Sequence, residues 1–144
     1  MILFPLGSVY AQNVDDFNLC GDGKMYPYYY PELKYEGDFF AITSHFEANY
    51  NSGTFKGAED ATGIFTIQFH VNCDGETGNY IAKRVDLDFK EIEMNEKFVQ
   101  HILELTKELN HWIPAKNDSG ETINSHKFLS FRIEAGEITE IYPK

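Results

Sequence analysis

The residues that could do chemistry are few. Cys20 and Cys73 are the only cysteines in 144 residues. In an oxidising compartment an even count reads as one disulfide, with a single possible pairing; two unrelated thiols are the competing reading. No C-x-x-C or Cys/His spacing of a zinc site occurs. His70 precedes Cys73 at a spacing a copper or zinc ion could use, but strand parity puts it on a polar face, where a solvated imidazole is the simpler reading. His101 and His111 fall on different sides of a helix, and His45 and His126 have no partner at ligand spacing. Asp86 and Asp88, with Glu91 and Glu93 following, have the form of a paired-carboxylate acid/base site. They have equally the form of a solvated charge run leading into a helix, which is the expectation here. The segment Asp16-x-Asn18-x-Cys20 starts like a calcium loop, but Pro27 stands where the bidentate acid belongs. No nucleophile elbow, P-loop or dinucleotide fingerprint is present. No catalytic residue, metal or cofactor is expected.

The most unusual cluster is aromatic: Tyr26, Tyr28, Tyr29, Tyr30 and Tyr35, interleaved with Pro27 and Pro31. Tyrosine offers contact area at low entropy cost, so the cluster reads as a platform for a peptide or glycan. Its other reading is structural, an arm pinned across the domain. The prolines disfavour helix or central strand, so 12–36 is expected to be extended.

The elements that must position these residues follow from periodicity. Asp38 is the expected N-cap of a helix in which Phe39, Ile42, Phe46 and Tyr50 share a face, ended by Asn51-Ser52-Gly53. Residues 64–72 alternate, with Phe65, Ile67, Phe69 and Val71 on one side and Thr66, Gln68, His70 and Asn72 on the other. Asp74-Gly75 is a tight-turn pair, and the chain returns through 80–85 as a hairpin. Residues 95–111 carry the stripe Phe98, Ile102, Leu105, Leu109, and Pro114 prevents continuation. Leu129, Phe131 and Ile133 alternate in 128–133; Glu134-Ala135-Gly136 then reads as a second hairpin turn into 138–142. The expected fold class is α+β, a small antiparallel sheet of three or four strands with two helices on one face, in the order α-β-β-α-β-β.

Charge and composition narrow the partners. There are 12 Lys+Arg against 23 Asp+Glu, a net charge of −11, which argues against nucleic acid and against a polybasic membrane anchor. Aromatic and apolar content is enough for a core. No apolar run has the length of a spanning helix, so the chain is expected not to span a membrane. Residues 1–11 carry no charge and end in Val9-Tyr10-Ala11, like the back half of a secretory signal peptide, which implies a periplasmic or secreted protein. The expected organisation is a signal remnant at 1–11, an extended arm at 12–36 and a domain at 37–144.

From Gly63 to Ile133 the chain resembles the C-terminal domain of TonB, the energy transducer that couples the inner membrane to outer-membrane receptors. The resemblance rests on Gly63 before the strand Ile64-Phe-Thr-Ile-Gln-Phe-His-Val71, on Asp74-Gly75 at the hairpin turn, and on a helix running into Trp112-Ile113-Pro114-Ala115. Gly120 and the strand 128–133 follow. Upstream, Tyr35-Glu36-Gly37-Asp38-Phe39-Phe40 and Asn49-Tyr50 resemble the glycine–helix–KYP start of versions from Bacteroidetes-type bacteria. The resemblance implies structural roles for Gly63, Gly75, Trp112 and Pro114. It implies a partner that adds a strand to a sheet edge: here strand 124–133, with Phe128, Ser130 and Arg132 among the contacts. The tail 137–142 is expected to fold back onto that edge and protect it. A transducer's membrane anchor and Pro-rich spacer are not in this sequence, so the expectation is a stand-alone, non-enzymatic binding or accessory module of a Gram-negative envelope. Its expected partner is a protein or peptide, an outer-membrane receptor segment being one case. A small secreted hydrolase using Asp86/Asp88 and a purely structural envelope protein are the alternatives.

Overall fold

The computed structural model describes residues 16–51 and 61–144. The uncharged stretch 1–11, the first residues of the arm and the helix stop at Ser52-Gly53 lie outside the described residues.

In chain order the elements are β1 (Met25–Pro27), β2 (Lys34–Tyr35), α1 (Asp38–Asn49), β3 (Gly63–Val71), β4 (Thr77–Val85), α2 (Glu96–Lys107), β5 (Trp112–Ile113), β6 (Asn124–Glu134) and β7 (Glu137–Tyr142). Among the described residues the fold is α+β, with two helices and a mixed sheet. β3 is central, with β4 on one side and β6 on the other, both antiparallel. The far side of β6 is shared: β1 runs parallel to its first residues, and β7 runs antiparallel to its last. The expected all-antiparallel sheet of three or four strands is therefore corrected to a mixed sheet, of five strands among the described residues. The extra strand is β1, from the arm, and a parallel pairing between residues about a hundred positions apart leaves no local pattern to read.

The strand alternation holds. Phe65, Ile67, Phe69 and Val71 of β3 and Leu129, Phe131 and Ile133 of β6 are buried in one core, together with Ile42 and Phe46 of α1 and Phe98, Val99, Ile102 and Leu105 of α2. Phe46 meets Phe131 edge-on at 4.9 Å between centroids, and His45 Nε2 lies 2.8 Å from the Leu105 carbonyl, tying the helices together. α2 is capped by Asn95, whose Oδ1 accepts from the amides of Lys97 and Phe98. It ends at Lys107, earlier than the apolar stripe indicates, because the Glu108 and Leu109 amides turn back to carbonyls of residues 104–106. The expected cap of α1, Asp38, is corrected to Gly37, which is left-handed (φ 85°) and makes no side-chain bond. A Cβ there would come 2.8 Å from Ala41 Cβ, so the chain needs glycine to turn into the helix.

Both hairpin turns form where the dipeptides place them. Ala135 and Gly136 both have positive φ, the twist-matched pair that joins β6 to β7. At the first turn the Asn72 side chain is the hub: its Oδ1 accepts from Asp74 and Glu76 amides, and its Nδ2 donates to the Glu76 carboxylate and the Asn18 carbonyl. No helix among the described residues is long and apolar enough to cross a membrane.

Candidate functional site

The arm is built into the domain from Asp16 onward. A disulfide joins Cys20 to Cys73, across a sequence separation of 53. The Cys20 amide donates to Asn124 Oδ1, and Asn124 Nδ2 donates back to the carbonyls of Cys20 and Lys24. These bonds deliver β1 to β6. Beyond β1 the chain turns through 28–33, closed by the Leu33 amide on the Tyr28 carbonyl at 2.8 Å. β2 then pairs with β5, setting Tyr35 opposite Trp112.

The tyrosine cluster thereby divides. Tyr35 is only 8 % exposed and packs edge-on against Trp112 at 4.8 Å, so its role is structural. Burial pushes its phenol pKa up, outweighing the backbone hydrogen bonds from His111 and Asn110. Tyr26 and Tyr28 are half-buried, and Tyr28 lies edge-on to Phe128 at 5.8 Å. Tyr29 and Tyr30 stand out at 67 % and 72 % exposed, at the tip of the turn.

Next to this turn the outer edge of β6 is discontinuous. The β1 ladder ends at Pro27 opposite His126, and the β7 ladder begins at Tyr142 opposite Ser130. Lys127, Phe128 and Leu129 fall between. A groove of about 360 Å³ opens there, lined among others by Tyr28, Tyr29, Tyr35, Trp112 and Lys127. Lys127 lies opposite Phe69 in register, hence on the helix-facing side of the sheet. Its ammonium sits 4.3 Å from the centroid of the Tyr28 ring and 6.0 Å from that of Trp112. Burial alone pushes its pKa down to about 8. A partly buried cation held by aromatic faces attracts a carboxylate and offers a stacking surface beside it.

Lys127 was not among the residues singled out from sequence, although parity could have found it: Leu129, Phe131 and Ile133 face the core, and two steps back along the strand is Lys127. Of the candidates named with the edge, Phe128, Ser130 and Arg132 occupy the opposite face, as their alternation requires. Ser130 hydroxyl is 2.7 Å from that of Thr66, and Arg132 Nε donates to Glu134 at 2.9 Å. The tail folds back as β7, as expected, but covers only the last residues of β6.

The structural candidates have physical reasons. A Cβ on Gly63 would meet the Val85 carbonyl at 2.4 Å, and one on Gly75 the Trp112 carbonyl at 2.8 Å. Gly75 thus lets the hairpin turn press against the end of the core, where Trp112 is 6 % exposed and Pro114 flanks the same contact. Asp86 is occupied structurally: its Oδ1 accepts from the amides of Asp88 and Lys90, holding a turn. Asp88, Glu91 and Glu93 are exposed. His111 lies 3.4 Å from the Glu36 carboxylate, and His101 stacks on Tyr50 at 5.6 Å. His70 and His126 are brought together across β3 and β6, a pairing that neither strand shows alone.

No protein family, curated protein or solved structure matches the chain.

Proposed function

We propose that this protein is a non-enzymatic binding module of the bacterial envelope, resembling the TonB C-terminal domain, which receives an extended protein segment at the tyrosine turn and the neighbouring break in the edge of β6. One observation carries the reading. Tyr29 and Tyr30 are exposed on a turn anchored on both sides, by the Cys20–Cys73 bond and β1 before it and by β2 after it. Apolar rings in water on a rigid support offer binding area with little ordering cost. Lys127 beside them supplies attraction for an acidic group on the partner. Where the resemblance implies strand addition along 124–133, β1 and β7 already hold both ends of that edge, so the partner contacts are assigned to the turn and to residues 127–129.

A photo-crosslinking residue at position 29, with position 118 as a surface control, tests this in producing cells. A discrete adduct with one envelope protein from position 29, lost on Tyr30→Ala with Lys127→Gln and missing from position 118, is the expected result. Identical adduct patterns from both positions would overturn the reading.

A further inference from the structure

The outer face of the sheet carries a second feature that the proposed binding role does not use. His70 of β3 and His126 of β6 are direct cross-strand partners, and their ring centroids are 4.7 Å apart. Imidazole nitrogen binds divalent transition metals at about 2.0–2.1 Å, which places the ion about 3.2 Å from each ring centroid. Two imidazoles on one ion at angles between square-planar and tetrahedral then need centroids roughly 4.5–5.2 Å apart. The observed separation falls inside that range before any ion binds.

The backbone around the pair supports the same reading. The β3–β4 register slips between Gln68 and His70, and opposite the slip Asn79 adopts a left-handed φ of 56°. A bulge of this kind re-aims a side chain. Here it brings the Asn79 amide to 3.0 Å from His70 Nδ1. As placed, the Asn79 Nδ2 donates to Nδ1, which leaves the ring proton on Nε2; when the amide turns over, its Oδ1 accepts from Nδ1–H and Nε2 becomes the ligating nitrogen, the usual arrangement behind a metal-binding histidine. Access is open, since His126 is exposed and His70 half-exposed. The other described histidines are placed differently: His45 lies against the Leu105 carbonyl, His101 on the Tyr50 ring, and His111 by Glu36.

We propose that His70 and His126 form a two-imidazole site for a divalent transition-metal ion, completed by water and oriented by Asn79. Affinity should follow the order copper(II) over nickel(II) and zinc(II), because the donors are imidazole and no rigid cage selects among the ions. The site is separate from the tyrosine turn and stands whether or not that turn binds a protein.

Titration of the full-length, untagged chain with copper sulfate, followed by calorimetry and electron paramagnetic resonance, tests the assignment. The expected result is one copper per chain with nitrogen hyperfine splitting. His70→Ala and His126→Ala should each weaken binding at least tenfold and remove that splitting, while His111→Ala leaves both unchanged. Asn79→Ala, which keeps both ligands, should weaken binding about tenfold, the lower end of what outer-shell partners contribute. Thermal melts check that each variant is folded. No binding by the folded wild type, or binding equally tight in folded His70→Ala and His126→Ala, overturns the proposal.

Discussion

Replacing Lys127 by Met should stabilise the protein, and the gain should depend on pH in one direction only. The Lys127 pKa falls from 10.5 to about 8 because burial disfavours the ammonium. Each unit of pKa is worth about 1.4 kcal/mol. Because part of the group still meets water, solvent screening reduces the penalty to roughly 2 kcal/mol. The Tyr28 ring offsets about 0.5–1 kcal/mol of that. Lys127→Met, similar in volume, should therefore gain about 1 kcal/mol at pH 7. The sign follows from proton counting. Below pH 8 both folded and unfolded states are protonated, and the penalty is felt in full. Between about 8 and 10.5 the unfolded chain holds more protons, so wild-type stability rises with pH. Met has nothing to titrate, so its advantage should shrink towards zero by pH 9.5. Tyr35, Tyr50 and Tyr80 all have raised pKa values, caused first by burial, and act oppositely above pH 10, where both proteins share the effect. Urea unfolding at pH 7 and 9.5, followed by fluorescence of the single tryptophan, measures the difference. Parallel pH curves for the two proteins would refute the reasoning, since the ammonium would then be as well solvated in the fold as in the unfolded chain.

Three further outcomes test the frame around the site. Reducing the Cys20–Cys73 bond, or replacing both cysteines by Ser, should cost about 4 kcal/mol for a separation of 53 residues, read as a lower urea midpoint with reductant than without. Gly75→Ala should cost more than Gly120→Ala: both have left-handed φ, but only at Gly75 would the new Cβ meet a backbone oxygen, at 2.8 Å, while Gly120 faces open space. About 1 kcal/mol is expected at Gly120 and about 2–3 at Gly75, and equal losses in thermal melts would deny the close approach to Trp112. Asp86→Asn, which keeps the oxygen that accepts from Asp88 and Lys90, should change stability by less than about 0.5 kcal/mol, whereas Asp86→Ala should lose about 1 kcal/mol. Equal losses for Asn and Ala, measured by urea unfolding, would show that the carboxylate charge does more than hold the turn.

Much of the scaffold was legible because it is fixed by neighbours in the chain. Alternation in 64–72 names the core face of β3 outright, since side chains on a strand point alternately to its two faces. Asp74-Gly75 and Glu134-Ala135-Gly136 declare their turns through glycines, which adopt positive φ freely, and the stripe from Phe98 to Leu109 declares the buried side of α2. The identity of the two cysteines allowed one bond, and that bond is present. The same parity extends to Lys127, but parity says only which face a residue joins. It does not say that Tyr28 and Trp112 wait there to receive a cation.

What the tertiary structure decided is pairing. β1 joins β6 through Met25 opposite Asn124, and residues so far apart carry no mutual signal in a single sequence. That contact makes the sheet mixed, divides the tyrosines into buried Tyr35 and exposed Tyr29 and Tyr30, and leaves the break at 127–129. The His70–His126 pair arises in the same way: each histidine follows its own strand's alternation, and only the register of β3 on β6 sets them face to face. Local periodicity therefore determined which residues are available to each surface. The long-range register, set by burying both apolar faces in one core, decided which of them meet.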